Sequence, residues 1–386
     1  MKLLLIGGTG VLSGSVVAEA VKCGNEVTIV NRGNRKKNYP QGVNFIKADY
    51  HNQNLMSMKL NGLHFDAVID FLCYTKEQIV YSVDLLSPFA DQYIFISSAC
   101  VYNTAIPGIK DEDSEKVLSE WDYSVNKWEC EEYLRKIASD RGLCYTIIRP
   151  CVTYDDTRIP YGIMPPYGYH WTFVARLLAG KPIIRWDGGS ARWNMMRVED
   201  FAVGVVGLIG NSQAYNDAFN ICGDEDCSWN DVVEIVANYL DLTPVYFDIT
   251  SDDYKKYCKQ RKGEIAGRSF DAIIDNKKIK KVVPAFKQTI SLKEGVIKTL
   301  TAYRNQNFQR GIDWKFDANC DQIIKKWCRD NKVDSKKMNL HFVNYLNNAR
   351  LTDKIGYELE LYNNVFIVKL ANLGIRVLKK IVRVCG

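Results

Sequence analysis

Short apolar runs alternate with helical patterns along the first 150 residues of the chain. The runs are continuous Val, Ile and Leu segments, a pattern typical of strands that are buried on both faces of a parallel sheet. Strands alternating with helices predict a doubly wound α/β fold. The predicted elements are, in order, "KLLLI", a helix from Val11 to a stop at Gly24, "EVTIV", "VNFIKAD", "DAVIDF", a helix over 76–86, "QYIFISS", a helix over 123–139 and "CYTIIRP".

The pattern changes after Pro150. Residues 155–170 are rich in Tyr, Pro and Gly, which indicates an ordered loop beside a ligand. Shorter elements follow this loop: a helix over 171–179, an extended "KPIIRWDGG", a helix over 200–209, a strand "AFNICG" and a helix opened by Ser228.

These changes predict three regions. A nucleotide-binding type of α/β domain is expected over 1–165, with some later segments returning to it, and a smaller mixed α/β lobe over 166–304. Beyond residue 305 the pattern is polar and helical, so a helical C-terminal extension is expected over 305–386.

Composition narrows the class of protein. The chain has 386 residues and a net charge of +6 that is spread along its length, so no specific nucleic-acid partner is expected. The twelve cysteines form no CxxC pair, and the apolar run in "MKLLLIGGTG" is too short for a secretory leader, which favours a cytoplasmic location. The four histidines show no metal-site spacing, and no run of about 18 apolar residues would span a membrane.

A glycine-rich turn joins the first predicted strand to the first predicted helix. Gly7, Thr9 and Gly10 occupy this turn, and Val11 and Leu12 open the helix. Glycines let the backbone approach a pyrophosphate closely, while the N–H groups at a helix start attract its charge. Strand, turn, helix and second strand all occur within about 30 residues, which is the context that a dinucleotide-binding (Rossmann) motif requires.

The end of the second strand indicates which dinucleotide binds. An acid there would hold the ribose hydroxyl of NAD, but this chain has Asn31 and Arg32, followed by three more basic residues in "RKK" at 35–37. Because guanidinium can grip a 2′-phosphate, NADP is favoured over NAD. The alternative remains that Asn31 contacts the NAD ribose beside a solvated basic loop. Asp49, after the third strand, is expected at the adenine edge.

A serine, a tyrosine and a lysine form the predicted catalytic set. Tyr123 and Lys127 are four residues apart and share a helix face, and Ser98 ends the preceding strand at the ligand-binding edge of the sheet. A lysine ammonium and an oxidised nicotinamide would lower the pKa of Tyr123 and make it a general base. Ser98 can hydrogen-bond the substrate oxygen, and Lys127 can also hold the nicotinamide ribose. The alternative is a purely structural Tyr, Lys and Ser.

Seven segments of residues 1–300 resemble the NAD-dependent epimerase/dehydratase family, the extended short-chain dehydrogenases/reductases that act on nucleotide sugars. In family order they are "GGTGVLSG", "DFLCYT", "ISSACVY", "YSVNKWECEEYL", "IIRPCVTY", "RVEDFAVGV" and "FNICGDEDCSWNDVVEIVA". "VNRG" and "WNMMRVEDF" are most similar to an atypical branch that includes chloroplast stem-loop RNA-binding proteins. The resemblance implies a nicotinamide cofactor, and the expected contacts also include Tyr50, Phe71, Leu72 and Pro150.

The resemblance also separates the possible reactions. Dehydratases of the family carry an acidic pair where this chain has Ala99 and Cys100, so dehydration is disfavoured. The favoured function is a nucleotide-sugar 4-epimerase, in which Tyr123 moves the proton of a sugar hydroxyl while a hydride passes transiently to the nicotinamide. An NADPH-dependent reductase or dehydrogenase would use the same residues and remains the alternative, followed by an RNA-binding protein that keeps the cofactor fold.

Five residues are expected to contact the nucleotide sugar: Cys100, Tyr102, Tyr154, Arg185 and Arg192. The two arginines flank "WDGGSA", near where the family places a phosphate-binding arginine. Arg192 is shifted by one position relative to the family pattern, and the alternative is that it is a surface loop residue.

The last segment, 364–385, has apolar residues on one helical face and basic residues on another. This pattern fits a helix lying on an anionic membrane surface, which would place the protein peripherally at the inner face of a membrane. It equally fits packing on the same domain or on a second copy of the chain in a homodimer.

Overall fold

The computed structural model describes residues 1–33, 41–116, 120–165, 169–305, 311–347 and 349–362. Its strands are β1 Lys2–Ile6, β2 Glu26–Asn31, β3 Val43–Lys47, β4 Phe65–Asp70, β5 Ala90–Ile96, β6 Tyr145–Pro150, β7 Val152–Tyr154, β8 Ile183–Trp186, β9 Arg192–Arg197, β10 Asp217–Ile221, β11 Asp226–Ser228 and β12 Tyr246–Ile249. Its helices are α1 Val11–Lys22, α2 Gln53–Leu60, α3 Lys76–Leu86, α4 Asp122–Arg141, α5 Trp171–Leu178, α6 Val198–Leu208, α7 Trp229–Leu240, α8 Ser251–Tyr257, α9 Lys262–Arg268, α10 Lys277–Val282, α11 Leu292–Asn305, α12 Trp314–Asp330 and α13 Leu351–Tyr362.

A seven-stranded sheet forms the centre of the fold. Its order is β10-β6-β5-β4-β1-β2-β3, and every adjacent pair is parallel. The chain moves outward from β1 in one direction through β2 and β3, then returns to the other side for β4, β5 and β6. This doubly wound α/β order confirms the predicted fold class and creates a crevice at the carboxyl ends of β1 and β4.

Helices cover both faces of this sheet. One core packs β1 and β5 against α1 and α6, through residues such as Val17 and Phe201. The other core lies on the opposite face beneath α2, α3 and α4, through residues such as Met56, Ile79 and Leu134. The continuous apolar runs of the strands follow from this burial on both sides.

Later segments of the chain return to the central sheet. β10 pairs in parallel with β6, with Asp217 opposite Thr146 and Ile221 opposite Pro150. α6 packs beside α1 on one face. The chain therefore leaves the sheet after β6, builds part of a second region, and comes back to add its edge strand.

The second region contains two small sheets, β11-β9-β7 and β12-β8, together with the remaining helices except α10, which packs beside β10. The C-terminal extension joins this region through four fully buried charges. Arg176 and Lys181, at α5, each contact both Asp317 and Asp321 of α12, at N–O distances of 2.6–2.9 Å. Two cations and two anions thus neutralise each other inside the protein.

Within the described ranges, no helix is long and apolar enough to cross a membrane. The same residues include no group of three His, Cys, Asp or Glu that could hold a metal ion. The basic segment 364–385 lies outside the described residues, as do the three basic residues at 35–37.

Candidate active site

The glycine turn after β1 has a backbone that only glycine adopts easily. Gly7 has φ +112° and Gly8 has φ +51°, and a Cβ on Gly8 would collide with the Ile29 side chain. The Gly7 N–H donates to the Val30 carbonyl at 3.2 Å, and the Gly10 N–H donates to Ser13 Oγ at 2.9 Å. These contacts hold the turn close to β2 and start α1 at Val11.

This turn fits the pyrophosphate of a dinucleotide. The first N–H groups of a helix have no carbonyl partner within the helix, so those of Val11 and Leu12 are oriented toward an anion at the N-terminus. A Cβ on Gly7 would approach Leu72 Cδ2 at 3.3 Å, so the turn also lies directly against the loop after β4. Gly7, Thr9 and Gly10 would hold the cofactor phosphates, and Phe71 and Leu72 would border them.

The residues expected to contact the adenosine end of the cofactor differ in their exposure to solvent. Arg32 and Asp49 are exposed, while Asn31 Oδ1 accepts a hydrogen bond from the Gly33 N–H at 2.9 Å. Tyr50 is buried instead, and its hydroxyl donates to Asp70 Oδ2 at 3.3 Å. Its contact with cofactor remains a prediction.

Asp70 organises the loop after β4. Its buried carboxylate accepts hydrogen bonds from the hydroxyls of Ser82 and Tyr93 and from the Leu72 N–H. The thiol of Cys73 lies 3.0 Å from the same carboxylate. Because these partners come from the loop itself, α3 and β5, they fix the position of the loop beside the glycine turn.

Tyr123 and Ser98 come together at the carboxyl edge of the sheet. Ser98 follows β5 and is 6% exposed, and Tyr123 lies in the first turn of α4. Burial raises the pKa of Tyr123 overall, whereas the nearby Ser98 hydroxyl and the positive charge of Arg268 act to lower it. The lowered pKa expected from the sequence depends on a bound oxidised nicotinamide, whereas burial of the phenol in the protein itself acts in the opposite direction.

Lys127 lies one helical turn beyond Tyr123 and is almost fully buried. Its ammonium donates to the carbonyls of Cys73 at 2.5 Å and Ile96 at 2.8 Å, so it bridges the loop after β4 and the end of β5. Burial lowers its pKa to about 8. The Tyr74 ring lies 4.5 Å from the ammonium.

Two residues that the sequence analysis did not select connect Tyr123 to the second region. The Trp121 ring lies 5.3 Å from the Tyr123 ring, and the Arg268 guanidinium lies 5.8 Å from the Trp121 ring. Arg268 also lowers the pKa of the Cys100 thiol, which burial raises overall. The phenol, the indole and the guanidinium therefore form one continuous group.

Arg268 leads into a cavity of about 720 Å³, a volume that suits a small organic ligand. The cavity is lined by β7, the loop after it, α8, α9 and the C-terminal extension. Its lining residues are Val152, Thr153, Arg158, Ile159, Pro160, Tyr161, Met164, Pro165, His170, Tyr254, Cys258, Gln260, Arg261, Glu264, Arg268, Asp313, Lys315, Phe316, Asn319 and Glu360. The loop expected beside a ligand, 155–170, thus contributes much of this lining.

Ion pairs organise the charges of the cavity. Arg261 binds Glu264 through two hydrogen bonds of 2.7 and 2.9 Å, and Arg268 lies 3.3 Å from the same carboxylate. Burial would raise the pKa of Glu264, but these two arginines hold it below its ordinary value. Burial lowers the pKa of His170 to about 4, helped by the charge of Arg158, so this imidazole is neutral at pH 7.

Four of the five residues expected to contact substrate have partners within the fold. Tyr102 donates to Asn220, Tyr154 donates to the Leu292 carbonyl, Arg185 pairs with Asp248, and Arg192 pairs with Asp226. None of these four lines the cavity. Their roles as substrate contacts remain predictions, as does that of Cys100, whose N–H donates to Ser98 Oγ.

Trp121 and the cavity-lining residues outside the loop 155–170 could not be recognised from local sequence patterns. Trp121 stands two positions before Tyr123, and that proximity was the only local sign of its role. Arg268 and Lys315 lie on helices far along the chain, and only the folded structure brings them to the cavity that Thr153 also lines.

Comparisons with known proteins identify the family and the fold of the chain. Two curated relatives are the chloroplast stem-loop binding protein of 41 kDa b of Arabidopsis thaliana and the 2′-dehydrokanamycin reductase of Streptomyces kanamyceticus. They are 25% and 22% identical over 61% and 62% of this chain, and the matches span 62% and 67% of the relatives' own lengths.

Among solved structures, the UDP-glucuronic acid 4-epimerase from Bacillus cereus, in complex with UDP-glucuronic acid and NAD, has a TM-score of 0.62. It is 16% identical, and the alignment covers 79% of this chain and 99% of the epimerase, so it supports the fold. The model of the NAD dependent epimerase/dehydratase family matches residues 3–222. With the glycine turn and the Ser98–Tyr123 pair inside that match, the chain belongs to the NAD dependent epimerase/dehydratase family.

Proposed function

We propose that this protein is a nucleotide-sugar epimerase of the 4-epimerase type that uses a nicotinamide dinucleotide and Tyr123 as its acid and base. The observation that carries the proposal is the placement of Ser98, just after β5, near Tyr123, in the first turn of α4, at the carboxyl edge of the sheet, where the Ser98 hydroxyl lowers the pKa of the phenol. This pair is joined through Trp121 and Arg268 to the 720 Å³ cavity. Residues on the glycine turn, on β2 and on the loop after β4 would hold the cofactor.

The dinucleotide, when bound, supplies the hydride chemistry of this reaction class. Tyr123 removes the proton of the sugar hydroxyl and returns it at the end of the cycle. Ser98 hydrogen-bonds the reacting oxygen, and Arg268 adds positive charge beside the phenol, so both stabilise the deprotonated state. Lys127 fixes the two strand-end loops between which the reacting groups meet.

A nucleotide-sugar reductase is the second candidate. Arg32 stands exposed directly after β2, where a guanidinium can bind the 2′-phosphate of NADP. NADP is the cofactor that suits net reduction, and one of the curated relatives is named as a reductase. The same Tyr123 would then donate its proton once in each turnover.

One assay separates the two candidates. The purified protein is incubated with UDP-, GDP-, CDP- and dTDP-sugars, either with catalytic NAD or with excess NADPH, and products are followed by NMR. The epimerase proposal expects an isomer that accumulates without net loss of cofactor. Stoichiometric loss of NADPH would favour the reductase, and absence of any isomer across the sugar panel would contradict the epimerase.

A further inference from the structure

The C-terminal extension contributes one side of the cavity. Its lining residues are Asp313, Lys315, Phe316, Asn319 and Glu360. These residues lie on α12 and α13 or at their start, beyond the match to the family model, which ends at residue 222. This part of the cavity is therefore additional to the segment that identifies the family.

α12 has two faces with different roles. Asp317 and Asp321 lie on the buried face and hold the helix to α5 through Arg176 and Lys181. At 3.6 residues per turn, the cavity-lining Asn319 lies about 160° around the helix from both aspartates. The ion pairs thus anchor one face of α12 while the opposite face, with Lys315 and Asn319, borders the cavity.

Backbone contacts fix the start of α12 as well. The Asp313 N–H donates to Thr172 Oγ1 at 2.7 Å, and Asp313 Oδ1 caps the helix by accepting from the N–H groups of Lys315 and Phe316. These contacts link the N-cap of α12 to α5, and they place Lys315, in the first turn of α12, at the cavity edge.

Two of the four cations that line the cavity are available to a ligand. Arg261 and Arg268 are engaged by Glu264, as described above. The side chains of Arg158 and Lys315 make no hydrogen bond or ion pair with any residue in the part of the chain that the structure describes, and both are exposed. They come from two separate segments, the loop after β7 and α12.

We infer that the C-terminal extension is part of the substrate site and that Lys315, together with Arg158, binds the diphosphate of the substrate. A diphosphate is an anion that binds several cationic hydrogen-bond donors. It would neutralise the positive charges of these two side chains. Phe316 would add an apolar contact beside it. This inference rests on the proposed nucleotide-sugar substrate and assigns a substrate-binding role to a region outside the family match.

The test uses the full-length protein saturated with NAD, so that the cofactor site is filled, and inorganic pyrophosphate as the probe in isothermal titration calorimetry. Lys315→Ala and Arg158→Ala are each expected to weaken pyrophosphate binding at least tenfold. Lys354→Ala removes an exposed lysine from α13 that does not line the cavity, and it should bind pyrophosphate within twofold of the original protein.

Parallel measurements of KM for the accepted nucleotide sugar should show a rise of similar size in Lys315→Ala with kcat nearly unchanged. Pyrophosphate affinity within twofold of the original protein in Lys315→Ala would overturn the inference, as would absence of pyrophosphate binding to the NAD-saturated protein. If only the proposed function is wrong, no nucleotide sugar will be converted, but pyrophosphate binding will still depend on Lys315.

Discussion

At the scale of single residues, the phenol of Tyr123 carries the proposed chemistry. Its partners come from three places: Ser98 after β5, Trp121 just before α4 and Arg268 at the end of α9. Only the first could be predicted, because a strand end and the following helix meet at the same edge of a parallel sheet. Arg268 belongs to a short helix with no local pattern that relates it to Tyr123.

Replacing Tyr123 by Phe removes the acid and base but keeps the ring. General acid–base catalysis contributes about 10²–10⁴-fold, so kcat of Tyr123→Phe is expected to fall at least about a hundredfold while NAD affinity is retained. Tyr133→Phe, on the same helix α4, is the matched control and should keep its kcat. Undiminished turnover in Tyr123→Phe would exclude Tyr123 as the acid and base.

The ionisation of Lys127 is expected to make kcat depend on pH. Burial lowers its pKa to about 8, so the ammonium is mostly protonated at pH 7 and loses its proton as pH rises through 8. Because the charged form holds two strand-end loops, kcat at saturating substrate should decline above about pH 8. Loss of the Tyr123 proton would not produce this decline, because the phenolate is the form that accepts the proton of the sugar hydroxyl.

The assignment is checked by profiles of kcat between pH 6 and 10. In Lys127→Arg the guanidinium stays protonated, so the decline should move to higher pH, whereas Lys136→Arg on the exposed side of α4 should leave it in place. Circular dichroism establishes that each variant is folded. A profile of the original protein that stays flat to pH 9.5 would contradict the role of the ammonium.

At the scale of elements, the helices and strands that could be predicted are those with a clear hydrophobic periodicity in their own sequence. The helix expected over 76–86 agrees with α3, and the apolar runs became the central strands because both faces are buried. α2 was not predicted, since only Met56 and Leu60 of its eight residues are buried and no apolar stripe is visible. The helices α8 to α10 are short and polar, and tertiary contacts rather than periodicity define them.

The importance of the glycine turn between β1 and α1 can be tested by substituting Gly8. In Gly8→Ala, left-handed backbone strain of about 1–2 kcal/mol adds to a collision with Ile29, and overpacking costs about 1–3 kcal/mol more. The free energy of unfolding should therefore fall by about 2–5 kcal/mol, and NAD should bind more weakly. Urea unfolding and NAD titration measure the two effects.

Gly24→Ala is the matched control for this substitution. Gly24 also has a positive φ, +77°, but a Cβ there would meet no atom within 4 Å. It should lose only the strain of about 1–2 kcal/mol and bind NAD normally. Equal losses of stability in the two variants would show that packing against Ile29 is unimportant.

At the scale of the whole molecule, four buried charges unite the C-terminal extension with the second region. Removing one partner of a buried ion pair costs about 3–5 kcal/mol, because the remaining charge stays in a dry environment. Asp317→Asn should therefore lower the free energy of unfolding by about that amount and lower Tm. Asp334→Asn, an exposed control beyond α12, should change Tm little.

Calorimetry compares the two variants. Because α12 also borders the cavity, Asp317→Asn is expected to raise KM for the nucleotide sugar even at temperatures where it remains folded. A Tm like that of the control would mean that the ion pairs do not hold the extension in place. The sequence could not predict this quartet, since Arg176 and Asp317 lie far apart along the chain and are brought together only by folding.

The return of the chain to the sheet has a consequence for how such proteins can diversify. β10 is an edge strand of the sheet and pairs with β6, yet β7, β8 and β9 lie between these two strands along the chain. The stretch between Pro150 and Asp217 is thus inserted within a continuous framework rather than appended to it. Changes in the inserted stretch can therefore alter substrate specificity. Each change must still allow α6 to lead the chain back, so that β10 pairs with β6.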